Sequence, residues 1–181
     1  MVKIKAAVCH KFGAPLQIET INLREPLTGE VEVTLGAVAV CHSDISFAAG
    51  DWGGELPAVY GHEAAGFVSK TGSAVKGFEI GDRVVVTLIK SCGNCNNCLE
   101  GNPTICEANN LAILPILSAK NKTIQQVMNC GAFAEKVVVD QSQIVKLNSD
   151  LSFAAASLLA CGVITGVGAV VNAAKLRPGQ D

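Results

Sequence analysis

Polar and apolar residues alternate through Glu30-Val31-Glu32-Val33-Thr34-Leu35, the period-two pattern of a strand with one face in a core. Comparable short runs over 3–8, 16–21, 37–40, 66–70, 83–87, 134–139 and 144–147 predict further strands. Pro26, Gly29, Gly72, Gly77 and Gly81 supply turns between them. Short strands at this density predict a closed or sandwiched β core. Helix is expected in only two places. One follows Cys41, over 43–49; the other lies within 152–176, with Ser152 as N-cap. Residues 153–174 carry no charge and include a Gly162/Gly166 pair, but Ser157, Thr165, Asn172 and the many Ala and Gly residues are unlike the ~20 strongly apolar residues of a membrane span. The expectation is two short buried helices meeting at Cys161-Gly162, and no membrane partner.

At 181 residues the chain fits one domain, residues 1–181, by the usual prior of ~100–200 residues each. The fold class expected is mainly β with short helices. Hydrophobic residues make up 49% and charged residues 17%, which excludes disorder. A net charge of −2 and a pI near 5.9 argue against a nucleic-acid partner, which normally requires a basic patch. Met1-Val2-Lys3-Ile4-Lys5 is not followed by an apolar run of signal-peptide length, so a cytoplasmic location is expected. There thiols stay reduced, and eight cysteines read as metal ligands before disulfides.

Cys92-Gly-Asn-Cys95-Asn-Asn-Cys98 and then Cys106 form the strongest motif. Two-residue spacings turn successive sulfurs inward, and four thiolates close a tetrahedral structural zinc site with no open position. Gly93, Asn94, Asn96 and Asn97 suit such a loop because Gly and Asn tolerate left-handed backbone. An iron–sulfur cluster is the rival, but its bacterial run has a shorter last spacing and a proline after the fourth cysteine, and neither is present. A second, dispersed set comprises Cys41-His42-Ser43-Asp44, Gly61-His62-Glu63 and Cys161. Two thiolates and one imidazole constitute a catalytic zinc set whose fourth position stays open. Cys9, His10 and Cys130 read as core thiols and a surface imidazole. Gly166-Val-Gly168 lacks the third glycine, the following strand and the acidic residue of a dinucleotide fingerprint.

Taken in order, Cys41-His42-Ser43-Asp44, Leu56-Pro57 before Gly61-His62-Glu63, Gly81-Asp82-Arg83-Val84, the Cys92/95/98/106 loop and Cys161-Gly162-Val163-Ile164-Thr165-Gly166 resemble the zinc-dependent medium-chain alcohol dehydrogenase family. Cys161-Gly162, residues 168–172 and Arg177-Pro178-Gly179 resemble its aryl-alcohol branch most and its glutathione-dependent formaldehyde branch second. The resemblance implies a GroES-like β-barrel catalytic domain, with the family's Rossmann domain absent from this chain. It implies a catalytic zinc on Cys41, His62 and Cys161, with Glu63 as an occasional ligand, and a structural zinc on Cys92, Cys95, Cys98 and Cys106. Asp44 would fix the tautomer of His62. Ser43 would take the proton of a bound alcohol, His42 would lie near the pyrophosphate of NAD(P), and Thr165 near its nicotinamide. Ser46 stands where many members carry a relay histidine, and is either a link in a water-borne proton path or a solvated helix residue. A full-length member would be a dimeric or tetrameric oxidoreductase acting on a small alcohol or aldehyde. This chain alone would be inactive, or a non-catalytic zinc-binding barrel.

Overall fold

The structure, a computed structural model, describes residues 1–108, 115–118, 120 and 122–180. Among the described residues ten strands form two five-stranded sheets. They are β1 (Val2–Cys9), β2 (Gln17–Leu23), β3 (Glu30–Ala39), β4 (Ala58–Val59), β5 (Glu63–Thr71), β6 (Arg83–Val86), β7 (Ile116–Ser118), β8 (Gln125–Gln126), β9 (Lys136–Asp140) and β10 (Ile144–Lys146). One sheet runs β7-β2-β1-β4-β8 and the other β10-β6-β5-β3-β9. A bridge between Ala6 and Ala134 ties β1 to the approach of β9, closing the pair toward a barrel.

Alternation decides what each face buries. Val31 and Val33 of β3, Val68 of β5, Val84 and Val86 of β6, and Val137 and Val139 of β9 form one core cluster. Val138, the intervening residue of β9, turns the other way onto Ile4, Ile21 and Leu23. Each fully buried aliphatic side chain of this kind contributes roughly 1.5–3 kcal/mol. β3 is one strand where the sequence predicts two. A register shift between Leu35 and Ala37 carries pairing with β5 past Gly36, and such a bulge interrupts the alternation.

Two ion-paired carboxylates anchor the start of β3. Glu32 is fully buried and accepts from Lys136 Nζ at 2.9 Å and Ser69 Oγ at 2.7 Å. Glu30 accepts from Arg24 Nη2 at 2.8 Å and from the Leu27 N–H at 2.7 Å. Burial pushes the Glu30 carboxyl up, but the Arg24 and Leu27 hydrogen bonds outweigh it and hold the group below its ordinary value. A depressed carboxyl stabilises the fold above its unfolded pKa of ~4.3, and that stabilisation is lost as pH falls through the lower folded value. Glu30→Gln is therefore expected to lower denaturation midpoints near pH 7, with wild type and variant converging as pH falls below the lowered folded value. A constant difference across that range would contradict the assignment.

Among the described residues the α-helices are α1 (His42–Ala49), α2 (Asn96–Leu99), α3 (Phe153–Ser157) and α4 (Gly162–Gly168). Ser152 caps α3 as expected, its Oγ accepting the Ala155 N–H at 3.2 Å. Phe153 lies edge-on to Phe67, and Ala156 and Ala160 pack on Ala65 and Val85, so 153–160 is docked on the second sheet. The run does break at Cys161, where 153–160 and 162–173 meet at 48°. The expectation of two buried helices holds only for the first. Val163, Ile164, Val167, Val170 and Val171 are 42–57% exposed, because no described element packs over them. No single described helix is long and apolar enough to cross a membrane.

Candidate metal centres

Register brings the dispersed residues together. Ala39 of β3 pairs with Glu63 of β5, so Cys41, two residues beyond, emerges beside His62 and Glu63. Cys41 is also the N-cap of α1, whose first turn carries Asp44 back toward the strand end. Cys161 joins them from the far end of the chain, at the bend before α4. One donor atom from each of Cys41, His62, Glu63 and Cys161 lies within 4.8 Å of every other.

Asp44 organises this set. It is 2% exposed and accepts three hydrogen bonds, from the Cys41 N–H at 3.0 Å, the Gly61 N–H at 2.9 Å and His62 Nδ1 at 3.2 Å. With Nδ1 committed to Asp44, Nε2 is the nitrogen left for a metal. Burial lowers the His62 pKa, but the Asp44 hydrogen bond and charge outweigh it and raise the group. Partial burial pushes the Cys41 thiol up, yet hydrogen bonds from Ser43 and the proximity of His62 bring it below its ordinary value. Cys161 moves the other way, raised by burial and by the nearby Glu63 and Cys41 charges. Gly61 has φ +92°, and a Cβ there would sit 2.7 Å from the Phe133 nitrogen, so only glycine delivers His62 in this position.

The second set is a lobe with almost no core of its own. Cys92, Cys95, Cys98 and Cys106 offer four sulfurs within 4.8 Å of one another, and of these only Cys106 is buried. Cys95 Sγ and Cys106 Sγ are 3.9 Å apart, close to the ~3.8 Å edge of a tetrahedron of ~2.3 Å zinc–sulfur bonds. Backbone N–H groups of Asn94 and Cys95 donate to Cys92 Sγ at 3.4 and 3.3 Å, and that of Cys92 to Cys106 Sγ at 3.3 Å. Backbone hydrogen bonds bring Cys95 down to about 6, whereas burial takes Cys98 up to about 11. Asn97 Nδ2 straps the lobe to the Ile105 carbonyl at 3.0 Å. Leu99 and Ile105, its large aliphatic residues, face solvent, so a tetrahedral ion is the natural centre for this loop.

The other expected site residues fall as follows. Ser43 lies beside the Cys41 thiol. His42 is exposed on the first turn of α1. Thr165 is exposed on α4, its Oγ1 3.9 Å from Cys161 Sγ. Ser46 is 7% exposed, which removes the solvated reading. Sequence reasoning missed the Gly162 N–H, which donates to Glu63 Oε2 at 3.3 Å, and Thr87, whose hydroxyl reaches the Ala160 carbonyl at 3.1 Å. Neither carries a motif.

Comparison with known proteins agrees with this geometry. The alcohol dehydrogenase GroES-like domain matches residues 28–149. The S-(hydroxymethyl)glutathione dehydrogenase of Synechocystis is 36% identical, aligned over 99% of this chain and 51% of its own length. An alcohol dehydrogenase zinc-binding domain protein from Burkholderia ambifaria superposes with a TM-score of 0.92 at 30% identity, over 99% of this chain and 51% of that one. Benzyl alcohol dehydrogenase from Acinetobacter calcoaceticus gives 0.87 at 28% identity, over 100% and 51%. The chain thus spans about half the length of the relatives it matches. With its barrel, its two donor clusters and a family match over most of its length, the chain belongs to the alcohol dehydrogenase GroES-like domain family, the catalytic-domain family of the zinc-type alcohol dehydrogenases.

Proposed function

We propose that this chain is the metal- and substrate-binding part of a zinc-dependent alcohol dehydrogenase that oxidises primary aromatic or allylic alcohols, with NAD(P) as hydride acceptor. The convergence of Cys41, His62, Glu63 and Cys161 on one point, apart from the four-cysteine lobe, carries this reading. The donor chemistry fits: two thiolates and an oriented imidazole suit zinc, and with the Glu63 carboxylate engaged by the Gly162 N–H these three would leave a fourth position open. When bound there, zinc supplies a Lewis acid that makes an alcohol O–H far more acidic than in water.

The protein's own part follows from position. Asp44 holds His62 and the peptides of Cys41 and Gly61, so two ligands keep fixed directions. Ser43, next to Cys41, accepts the substrate hydroxyl proton and passes it outward; Ser46, one turn along α1 and buried, extends that path through water. A hydroxyl is no base near pH 7, so both serve as relays. His42, exposed at the start of α1, and Thr165, exposed on α4, would contact the phosphates and the nicotinamide of NAD(P) respectively. The chain by itself is expected neither to bind NAD at micromolar affinity nor to turn over alcohol, and calorimetry with NAD tests this directly.

Metal analysis of the purified chain should approach two zinc ions. Cys92→Ser should remove one and Cys41→Ser the other; a single ion lost only with Cys41→Ser would sink the division. For the complete enzyme, kcat/KM should favour benzyl alcohol over ethanol by ~10² or more, since a ring buries much more apolar surface. The benzyl alcohol dehydrogenase superposition supports that preference. The Synechocystis relative supports a second reading, the glutathione-dependent formaldehyde branch. A benzyl/ethanol ratio near one with an absolute need for S-(hydroxymethyl)glutathione would select it.

A further inference from the structure

Cys161 is the one thiol of the mixed set that does not come from the β3–β5 region, and its peptide is held from both sides. On one side the Gly162 N–H donates to Glu63 Oε2 at 3.3 Å. On the other, the Ala160 carbonyl accepts the Thr87 hydroxyl at 3.1 Å, across 73 residues of chain. Ala160 is 3% exposed, and the first hydrogen bond of α4 runs from the Thr165 N–H to the Cys161 carbonyl, one residue later. The Ala160 carbonyl is thus left outside the hydrogen-bond ladder of α4, and Thr87 supplies its donor.

Thr87 is itself rigidly mounted. Its N–H donates to the Gln143 carbonyl at 2.9 Å. Its carbonyl accepts Gln143 Nε2 at 3.0 Å and Cys130 Sγ at 3.2 Å. Gln143 is fully buried, and its Oε1 accepts the Asp140 N–H at 3.2 Å. The hydroxyl direction is thus inherited from the edge of the second sheet. Its surroundings are mostly apolar: Thr87 shares a cavity of about 260 Å³ with Val85, Ile89, Leu159 and Ile164, with Lys146 as the charged residue on its wall, and follows three consecutive valines. Packing alone would be served by a fourth valine of the same shape. The hydroxyl is the feature that packing does not explain.

We propose that Thr87 is a positioning residue for the mixed metal site, fixing the Ala160–Cys161 peptide so that the Cys161 thiol meets Cys41 and His62. Glu63, which holds the Gly162 N–H, is itself among the site's candidate ligands, so Thr87 is the tie to this segment that comes from outside the donor set. The inference rests on the metal-site reading above and concerns geometry rather than chemistry.

The test uses the 181-residue chain, native and as Thr87→Val and Thr87→Ser, with zinc affinity read by competition against a chromogenic chelator. Cobalt(II) spectra report the thiolate geometry of each site. Thr87→Val should weaken the mixed site by ~10–100-fold, the usual effect of losing a hydrogen bond that orients a ligand, and shift its cobalt bands. The four-cysteine site should be unchanged. Thr87→Ser, which restores the hydroxyl but not the methyl, should recover affinity to within about threefold, a modest fraction of that loss. Native affinity and spectrum in Thr87→Val would overturn the proposal. So would equal loss at both sites, which would make the hydroxyl a support of the whole fold, or a serine variant as weak as valine, which would make shape the cause. A native chain whose second ion is absent or indifferent to Cys41→Ser removes the metal-site reading itself, and is recognised without any Thr87 variant.

Discussion

Asp44→Ala should lower stability by roughly 3–5 kcal/mol and weaken metal binding at the mixed site by ~10–100-fold. The cause is the number of donors left stranded. The Gly61 N–H, the Cys41 N–H and His62 Nδ1 all converge on one buried carboxylate, and alanine offers none of them an acceptor. Each buried donor left unpaired costs about 1–3 kcal/mol, and an unheld imidazole loses its preferred ring orientation. Asp44→Asn should fall between, because its amide oxygen keeps the Gly61 and His62 contacts while its NH₂ opposes the Cys41 N–H. Urea denaturation with and without chelator separates the two effects. A loss below about 1 kcal/mol for alanine would mean that water or a shifted main chain replaces the carboxylate.

Cys98→Ser should have the larger consequence for folding, and Cys161→Ser the smaller. The 92–106 lobe has hydrogen bonds and turns but exposed Leu99 and Ile105, so metal binding is the main source of its folding free energy. Cys161 lies at the end of a docked segment that Phe153, Ala156 and Ala160 hold on the second sheet without it. Cys98→Ser should therefore melt the lobe and promote aggregation, while Cys161→Ser removes the mixed-site metal from a largely intact barrel. Equal losses of melting temperature in the two variants would contradict this division.

The four-cysteine set was legible because its spacing is local: the loop itself enforces the geometry. Cys41, His62 and Cys161 were not legible by spacing, since a strand register and a helix bend bring them together, and only likeness to a known family marked them. Strand alternation located most of both sheets. It failed at β3, where the bulge by Gly36 split one strand into two, and at β4, β7 and β8, which hold two, three and two residues and so show no period. Ser46 could not be placed from sequence because a hydroxyl suits either face of a helix. Thr87 was read only as the end of a strand: its role depends on a carbonyl that becomes orphaned once the chain bends at Cys161.

The exposed valine stripe of 162–173 has a calorimetric consequence. Unfolding raises heat capacity by ~12–15 cal/mol/K per residue where apolar surface passes from a dry interior into water. Val163, Ile164, Val167, Val170 and Val171 are already 42–57% wet in the folded chain, so this stretch should add less than its share to that increment. Any surface that covers the stripe should recover the deficit as a negative heat-capacity change of association, a signal that can be followed by titration at several temperatures.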